Sequence, residues 1–259
     1  VPAEGRPTLI RASRHWPYVV VLPMKRKSLL IESCQTCGLR GKSVLCDVAG
    51  DDLAGFEKIK RSLHYEPRQV VFYEGHACLG LYLLCAGKVK LTRSSVRGQR
   101  QIVRILDAGE VIEKHAFRER AIHEATCETL EPSQICLVER EPYLALIRRN
   151  PDLALKVIQL LSSEVGMHMD QLDEFTFKTA RERLAGVLVE LGRRFGKKAD
   201  GGVQVGVALK REEVAEMAGV TVETVIRLLG TFRDEGLVKI DGRAITLLSP
   251  DRLARAARL

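Results

Sequence analysis

A heptad pattern runs along Pro151–Thr179 and constrains the fold more than any other feature of the chain. Its seam positions recur at alternating steps of three and four residues, which is the a/d spacing of paired helices. Asn150 and Pro151 open the segment well, because proline's fixed φ suits the first helical turn, where its missing N–H costs nothing. The pattern predicts a helix of roughly 40 Å at about 1.5 Å per residue. The seam positions are Ile158, Leu161, Val165, His168, Leu172, Phe175 and Thr179.

A helix of this length is too long for one small domain, and its apolar stripe is narrow. Both properties favour a two-stranded dimer seam with separate domains before and after it. The 259 residues of the chain suit two domains of ordinary size. An apolar fraction of 46% and a charged fraction of 29% are typical of a soluble globular protein.

The net charge of +8 is concentrated at the two ends of the chain. Lys and Arg outnumber Asp and Glu by six to two over residues 1–33 and by fifteen to eleven over residues 180–259, but balance at twenty each between them. A basic C-terminal domain indicates nucleic acid, although a solvated basic face is at least as common. We expect residues 1–33 to form a basic, poorly ordered extension. Met24-Lys25-Arg26-Lys27 reads like a natural start, which would make residues 1–23 translated upstream sequence.

No apolar run reaches the roughly 18 residues that a membrane span needs, and no small-residue cleavage site follows the apolar patch at residues 17–23. We therefore expect a cytoplasmic protein without membrane contact. In that compartment seven cysteines are more often reduced, metal-binding or redox-active than part of a disulfide framework.

Three of the cysteines lie close together in Cys34–Cys46, which reads CQTCGLRGKSVLC. The glycines predict a loop that leaves the backbone free to fold thiolates around one centre. Three thiolates do not complete a tetrahedral metal site, so a fourth ligand must come from elsewhere. The alternative is that the CxxC spacing is a redox pair or chance, but the βαβ setting of a thioredoxin-like motif is missing. The candidates for the fourth ligand are Cys78, Cys85, Cys127 and Cys136.

Residues 51–63 have the spacing of a short amphipathic helix, and from residue 69 to about 137 the apolar period falls to two. Short strands separated by Gly-containing turns predict an antiparallel sandwich, jelly roll or barrel. Within it, Cys78 and Cys85 are expected to be buried small hydrophobes rather than ligands. Further helices are predicted over residues 141–149 and 180–195, followed by a glycine-rich connection over 197–206.

Residues 210–236 read KREEVAEMAGVTVETVIRLLGTFRDEG and predict a helix-turn-helix. Gly219 makes the turn between two amphipathic helices, and Asp241-Gly242 predicts a hairpin that adds a wing. Helix pairs also occur in purely structural bundles, but the wing favours DNA binding. The polar residues at the start of the second helix are placed to meet base edges, and they are Thr221, Glu223, Thr224 and Arg227.

The order of these parts resembles the CRP/FNR family of bacterial transcription regulators over roughly residues 30–255. The most specific match is GVTVETVIRLLGTFRDEG at residues 219–236, which resembles the family's recognition helix. The resemblance implies that Glu223 and Arg227 read base pairs, since Arg fits guanine O6 and N7 and Glu accepts from the cytosine amino group. Ile226 departs from the serine usual in the FNR branch and could contact a thymine methyl instead.

The resemblance implies an α+β protein with three parts. An N-terminal antiparallel β-roll of the cyclic-nucleotide-binding type, with the cysteine loop before it, spans residues 34–150. A long dimerisation helix spans 151–179, and a winged helix-turn-helix spans 180–259. The implied partners are palindromic double-stranded DNA, a second copy of the chain and RNA polymerase, and no enzymatic activity is expected. Candidates for contacts to DNA phosphates are Lys210, Arg211 and Arg243.

The cysteine triplet resembles the FNR branch, in which three such cysteines and one from the β-roll hold an oxygen-labile [4Fe–4S] cluster. Carried over by position, the ligands are Cys34, Cys37 and Cys46 with Cys136 as the fourth, and Cys127 is the rival for that place. Soft sulfur ligands satisfy iron and give a cluster whose potential follows charge and solvent access. A closed four-cysteine zinc site has the same ligands, so spacing alone leaves zinc open.

Other readings of the chain are less well supported. A cyclic nucleotide is not expected, because the family's Arg-Ser/Thr pair is absent from the segment HEATC at residues 123–127. Haem bound through His76 or Cys78 is weaker still. A thiol oxidoreductase built on Cys34 and Cys37, or a zinc-stapled interaction module, would leave the winged helix unexplained.

His168 lies in the middle of the predicted seam, where the resemblance places an acidic residue that disfavours dimerisation. A histidine there predicts milder, pH-dependent repulsion, unless it snorkels to the rim of the stripe. The resulting hypothesis is a two-state coupling, in which an intact cluster packs the cysteine loop on the β-roll and favours the dimer. Pairing would space two recognition helices by about 34 Å, and oxygen would lower the dimer population by destroying the cluster.

Overall fold

The computed structural model describes residues 33–35, 37–39, 43, 46 and 51–258. Apart from Ser33, the predicted basic extension over residues 1–33 lies outside the described residues.

The first half of the described chain is an antiparallel β-roll. Its elements are helix α1 (Asp51–Ile59), strands β1 (Lys60–Tyr65), β2 (Val70–Phe72), β3 (Gly80–Ala86), β4 (Lys88–Ser94), β5 (Arg100–Asp107) and β6 (Val111–Glu113), a 3₁₀ turn (His115–Phe117), strands β7 (Thr126–Thr129) and β8 (Ser133–Glu139), and helix α2 (Arg140–Arg149). One sheet has the strand order β1-β8-β3-β6 and the other has the order β2-β7-β4-β5. This arrangement confirms the predicted fold of the N-terminal part.

Strands β3 and β8 are buried on both faces, and their sequences GLYLLCA and SQICLVE are accordingly rich in apolar residues. Alternate residues of a strand point to opposite faces. Leu84 and Ile135 face the second sheet and belong to the core between the sheets. Leu83 and Cys136 face the other way and belong to a second core, which helices α1 and α2 complete. The β-roll therefore has an outer core beneath its helices.

The predicted long helix is present as α3 (Pro151–Phe177), with 27 residues. The Asn150 side chain caps it by accepting a hydrogen bond of 3.0 Å from the Leu153 N–H. Only Leu153 and Val157 are fully buried, so the first two turns anchor the helix on the outer core. Glu164 holds a later turn to the β-roll through Arg104, at 2.7 Å. Neither α3 nor any other helix within the described ranges is long and apolar enough to cross a membrane.

The C-terminal part is a winged helix-turn-helix, as predicted. Its elements are helix α4 (Ala180–Phe195), strands β9 (Gly196–Ala199) and β10 (Gly202–Val205), helices α5 (Arg211–Ala218) and α6 (Val222–Asp234), strands β11 (Val238–Asp241) and β12 (Ala244–Leu247), and helix α7 (Pro250–Ala256). The four strands form one sheet in the order β11-β12-β10-β9. Leu188, Val225 and Phe232 lie in its core, which also includes Ile102 and Ile105 of β5. The β-roll therefore packs directly on the winged helix.

Two predictions of secondary structure differ from the structure. Residues 51–63 were expected to form one helix, but α1 ends at Ile59 and the chain continues as β1. Residues 60–65 form a strand because they pair with β8, and this pairing places Leu63 and Tyr65 in the core between the sheets. The glycine-rich connection over residues 197–206 forms the hairpin β9–β10 instead, since β10 pairs with β12 and extends the wing sheet.

Candidate thiolate site and DNA-binding surface

The four cysteines predicted as ligands lie around one cavity of the β-roll. Cys34, Cys46 and Cys136 are buried, and Cys37 is half-buried. Cys127, the rival fourth ligand, lies in the core between the sheets and does not line the cavity. Within the part of the chain that the structure describes, the lining consists of Cys34, Cys37, Cys46, Leu53, Phe56, Lys60, Cys85 and Cys136. The fold thus brings the four predicted thiols together and adds a fifth, that of Cys85.

Local structure explains why these cysteines meet. Strand β8 turns Cys136 toward α1, because its neighbours Ile135 and Leu137 point into the core between the sheets. The cysteine loop is tied to α1, where Glu57 Oε1 accepts a hydrogen bond of 2.9 Å from the Cys34 N–H. The Cys46 N–H donates to the Ser43 carbonyl at 3.0 Å. The first bond fixes the start of the triplet on α1, and the second forms a turn at its end.

Burial suppresses the ionisation of thiols in this cavity. Burial is the main cause, and the sulfur atoms of Cys34, Cys136 and Cys37 add to it, so that the pKa of Cys46 rises to about 12. Burial also raises the pKa of Cys34, although the hydrogen bond and charge of Lys60 act in the opposite direction. A bound metal cation offsets the cost of holding several thiolates in such a place. The donor set fits Zn²⁺ or an iron–sulfur cluster, since both take four thiolates.

The sequence predicts Cys85 as a buried small hydrophobe, and it is buried, but it also lines the cavity. Its Sγ lies 2.8 Å from Cys136 Sγ, and both residues are buried. Strands β3 and β8 are neighbours with Leu83 opposite Cys136, and Cys85 lies where their register shifts. The sequence carries only an indirect signal of this contact, namely one cysteine on each of two apolar strands.

A second group of metal-binding side chains lies elsewhere in the β-roll. The ligand atoms of Cys78, Glu113 and His123 lie within 4.8 Å of one another. Glu113 accepts hydrogen bonds from His123 Nδ1 at 2.5 Å and from His115 Nδ1 at 2.9 Å. The His123 ring stacks on Phe72, with 3.8 Å between ring centroids. Because Glu113 and His123 satisfy one another, this group acts as a buried hydrogen-bonded network that joins β6 to the segment before β7.

Helix α6 presents the predicted recognition residues on its outer face. Thr221 caps the helix, because its Oγ1 accepts a hydrogen bond of 3.3 Å from the Thr224 N–H. Glu223, Ile226 and Arg227 are exposed. The opposite face is fully buried through Val225, Leu228, Leu229 and Phe232. This division leaves the outer face of α6 accessible to a major groove.

The three predicted phosphate contacts lie where α5 meets the wing. Lys210 precedes α5 and Arg243 lies in the turn between β11 and β12, and both are exposed. The Arg211 guanidinium donates a hydrogen bond of 2.8 Å to the Gly242 carbonyl. Arg211 therefore fixes the wing turn against α5, whereas Lys210 and Arg243 extend into solvent.

An exposed apolar stripe runs along α3. Ile158, Val165 and Leu172 expose 60%, 64% and 59% of their surface, and Leu155 and Met169 are similarly exposed. These five residues, with Ser162 between Ile158 and Val165, are separated by alternating steps of three and four. This seam shares three positions with the predicted one.

The other predicted seam residues lie off this stripe, and Thr179 lies beyond α3, where its side chain caps α4. Leu161 is half-buried and packs against the outer core of its own β-roll. Phe175 contacts the winged helix, where the Arg183 guanidinium lies 5.6 Å from its ring centroid. His168 is exposed and adjoins Met169, at the flank of the stripe.

Two domain families match this chain. The cyclic nucleotide-binding domain matches residues 62–150, which contain most of the β-roll. The Crp-like helix-turn-helix domain matches residues 182–256, which contain the winged helix. The two matches flank the long helix α3.

Named relatives and solved structures agree with these matches. The fumarate and nitrate reduction regulatory protein of Escherichia coli (strain K12) is 27% identical over 244 residues, which are 92% of this chain and 97% of that protein. FixK2 from Bradyrhizobium japonicum has a TM-score of 0.67 at 23% identity and covers 76% of this chain and 97% of its own. A CooA mutant from Carboxydothermus hydrogenoformans has a TM-score of 0.68 at 22% identity, over 83% of this chain and 95% of its own. Both structures share the fold of this chain.

Proposed function

The chain belongs to the CRP/FNR family of DNA-binding transcription regulators, and we propose that it senses oxygen through a [4Fe–4S] cluster. The proposed ligands are Cys34, Cys37, Cys46 and Cys136. Cluster integrity controls homodimerisation through residues 151–179, and the dimer places two winged helices (residues 180–259) on a palindromic site. Transcription then changes through contact with RNA polymerase, and the protein acts in the cytoplasm without catalysing a reaction.

The convergence of four thiols in one buried cavity carries the proposal. A buried thiolate is costly unless a cation balances it, and four soft donors around one space suit iron and zinc better than any hard cation. The similarity to a regulator named for fumarate and nitrate reduction favours the redox-active choice. When bound, the cluster would be the group that reacts with molecular oxygen.

The packing around the cavity gives a physical route to the dimer seam. Phe56 of the cavity wall lies edge-on to Tyr143 of α2, with 6.2 Å between ring centroids. Tyr143 shares the outer core with Leu153 and Val157, which anchor the first turns of α3. If the cysteine loop packs differently with and without the cluster, the packing of α3 on the outer core therefore changes as well. A differential of a few kcal/mol suffices to shift such an equilibrium.

A structural zinc site is the second candidate, because the same closed set of four thiols suits Zn²⁺. Zinc would hold the loop permanently and leave DNA binding insensitive to air. A thiol oxidoreductase is disfavoured, because burial raises the pKa of Cys34, whereas a catalytic thiol requires the reverse.

Metal and sulfide analysis of protein purified without oxygen tests the proposal. We expect iron and acid-labile sulfide near four each per chain, a visible absorbance that bleaches in air, and a parallel loss of dimer in sedimentation experiments. Cys136→Ser should lose the iron, whereas Cys78→Ser, which changes a cysteine outside the cavity, should retain it. Stoichiometric zinc, or no metal, would contradict oxygen sensing and leave the DNA-binding regulator in place.

A further inference from the structure

The thiol of Cys85 lies in the cavity without a role in a four-cysteine site. It belongs to β3, it is buried, and its Sγ is 2.8 Å from Cys136 Sγ. Two thiols in contact can be simply part of the hydrophobic core, because free cysteines often behave as small apolar residues. Here, however, one of the two is a proposed ligand, so any bond between them changes the ligand set.

The backbone holds this contact in place. Strands β3 and β8 pair from Gly80↔Glu139 to Ala86↔Gln134, with Leu83 opposite Cys136. Cys85 is two residues beyond Leu83, on the face of the sheet that Cys136 shares, and at the register shift of the two strands its Sγ lies 2.8 Å from Cys136 Sγ. The helices α1 and α2 cover that face. The two Sγ atoms, at 2.8 Å, need to approach by under about 1 Å to reach the S–S bond length of about 2.0 Å.

We infer that Cys85 and Cys136 form a disulfide when the metal-free protein meets hydrogen peroxide, and that this bond blocks rebuilding of the metal site. The inference rests on the proposed role of Cys136 as a ligand. One thiol releases its proton, its thiolate attacks hydrogen peroxide, and the O–O bond breaks to give a sulfenic acid and hydroxide, which takes up the proton as water. The second thiolate attacks the sulfenic sulfur, the S–S bond forms, and hydroxide leaves as water. Two thiols and one peroxide thus give one disulfide and two waters.

This disulfide would keep the site inactive after the oxidant has been removed. With Cys136 in a disulfide, only three of the four proposed ligands remain, so the cluster cannot be rebuilt when oxygen is removed. A dithiol reductant restores both thiols by thiol–disulfide exchange. Recovery would then require a reducing cell as well as iron and sulfide.

Peptide mapping tests the inference on the full chain. Metal-free, fully reduced protein is treated with one equivalent of hydrogen peroxide without oxygen, its remaining thiols are alkylated, and the digest is analysed by mass spectrometry. We expect a linked pair of peptides containing Cys85 and Cys136, which is lost in Cys85→Ala and retained in Cys78→Ala. A disulfide between Cys34 and Cys37, with Cys85 alkylated, would overturn the inference.

Reconstitution of the same samples with ferrous iron and sulfide tests the consequence. Peroxide-treated wild-type protein should regain its iron only after dithiothreitol, whereas Cys85→Ala should regain it without the reductant. If Cys85→Ala also needs dithiothreitol to take up iron, a disulfide between another pair of cysteines prevents the uptake. If the linked peptide forms but no protein takes up iron before oxidation, the cluster proposal fails while the disulfide stands. Circular dichroism checks that Cys85→Ala is folded, and if it is not, the wild-type peptide map decides alone.

Discussion

Lys90 Nζ of strand β4 lies 2.8 Å from Glu213 Oε1 of helix α5, and this contact joins the β-roll to the first helix of the helix-turn-helix. Both side chains are almost fully buried, and Lys90 also lies 3.2 Å from Glu128. Glu213 Oε2 in addition accepts a hydrogen bond of 2.8 Å from the Lys210 N–H before α5. The junction between the β-roll and the winged helix therefore contains a buried ion pair.

Removing one member of this pair should destabilise the protein strongly. Lys90→Met leaves two carboxylates short of a cation, which costs about 3–5 kcal/mol for a buried pair. Lys90→Met with Glu213→Gln should recover part of the loss, because Gln is neutral and still accepts from the Lys210 N–H. Urea unfolding measures the stability of both variants.

Arg93→Met is the matched control, since Arg93 is exposed and faces Glu74 at 4.0 Å, and it should cost under about 1 kcal/mol. Equal losses for Lys90 and Arg93 would contradict the assignment.

The buried network around Glu113 predicts a dependence of stability on acid pH. Burial raises the pKa of Glu113, but hydrogen bonds from His115 and His123 outweigh it, so that the folded-state pKa falls to about 2. Because the pKa is lower in the folded protein than in the unfolded chain, the stabilisation is fully present above about pH 4.5 and is lost as the pH falls toward 2. Its size is roughly 3 kcal/mol at about 1.4 kcal/mol per pKa unit.

Glu113→Gln isolates this contribution. The difference in unfolding free energy between wild type and variant should be largest near pH 6 and should shrink on acidification to pH 3, measured by urea unfolding at each pH. A difference that stays constant over this range would show that Glu113 has an ordinary pKa in the folded protein.

Gly219 makes the turn of the helix-turn-helix against a side chain of the long helix. Its φ of 60° lies in the left-handed region, and an added Cβ would meet Phe175 Cε1 at 2.7 Å. Gly219→Ala should therefore lose about 1–2 kcal/mol from backbone strain and contact. Gly230→Ala is the control, because its Cβ would lie in open space on helix α6, and it should be neutral or stabilising. Thermal melts compare the two, and a similar Tm for both variants would reject the steric argument.

Local signals made much of this fold predictable from the sequence. The heptad spacing of α3, the Gly turn before α6 and the Asp-Gly turn of the wing each depend on residues close together in the chain. Strand β1 was missed for the opposite reason. Its residue Leu63 continues the helical spacing of Ile59, and only pairing with the distant strand β8 makes it a strand.

Some residues of the candidate site were likewise predictable from local spacing, and others depend on tertiary structure. Spacing identified Cys34, Cys37 and Cys46, and alignment with a family pattern was needed for Cys136. No local pattern connects Cys85 to them, because its place depends on the pairing and register shift of β3 and β8. Leu161 was assigned to the dimer seam for a related reason, since the side of α3 that meets the β-roll is set by tertiary packing.

The exposed stripe of α3 predicts how dimerisation can be broken. Val165 is 64% exposed and lies at the centre of the stripe. Val165→Glu puts like charges opposite one another in a symmetric pair, so the dimer Kd should rise roughly tenfold or more. Ser163→Glu, off the stripe on the same helix, should change it little. Sedimentation velocity of protein purified without oxygen measures both, and an unchanged Kd for Val165→Glu would place the interface elsewhere.

Two arginines of the winged helix should affect DNA binding differently. Arg227 is exposed on the outer face of α6, the face predicted to meet base edges, so Arg227→Ala should cost roughly 1–3 kcal/mol on the cognate palindrome and little on unrelated duplex. Arg243 lies in the wing turn beside the Arg211–Gly242 hydrogen bond. Arg243→Ala should weaken binding to both duplexes and reduce the slope of log K against log salt by about 1 for the lost phosphate contact. Fluorescence anisotropy at several salt concentrations separates these outcomes. If Arg227→Ala weakened both duplexes equally, α6 would not be the helix that reads the sequence.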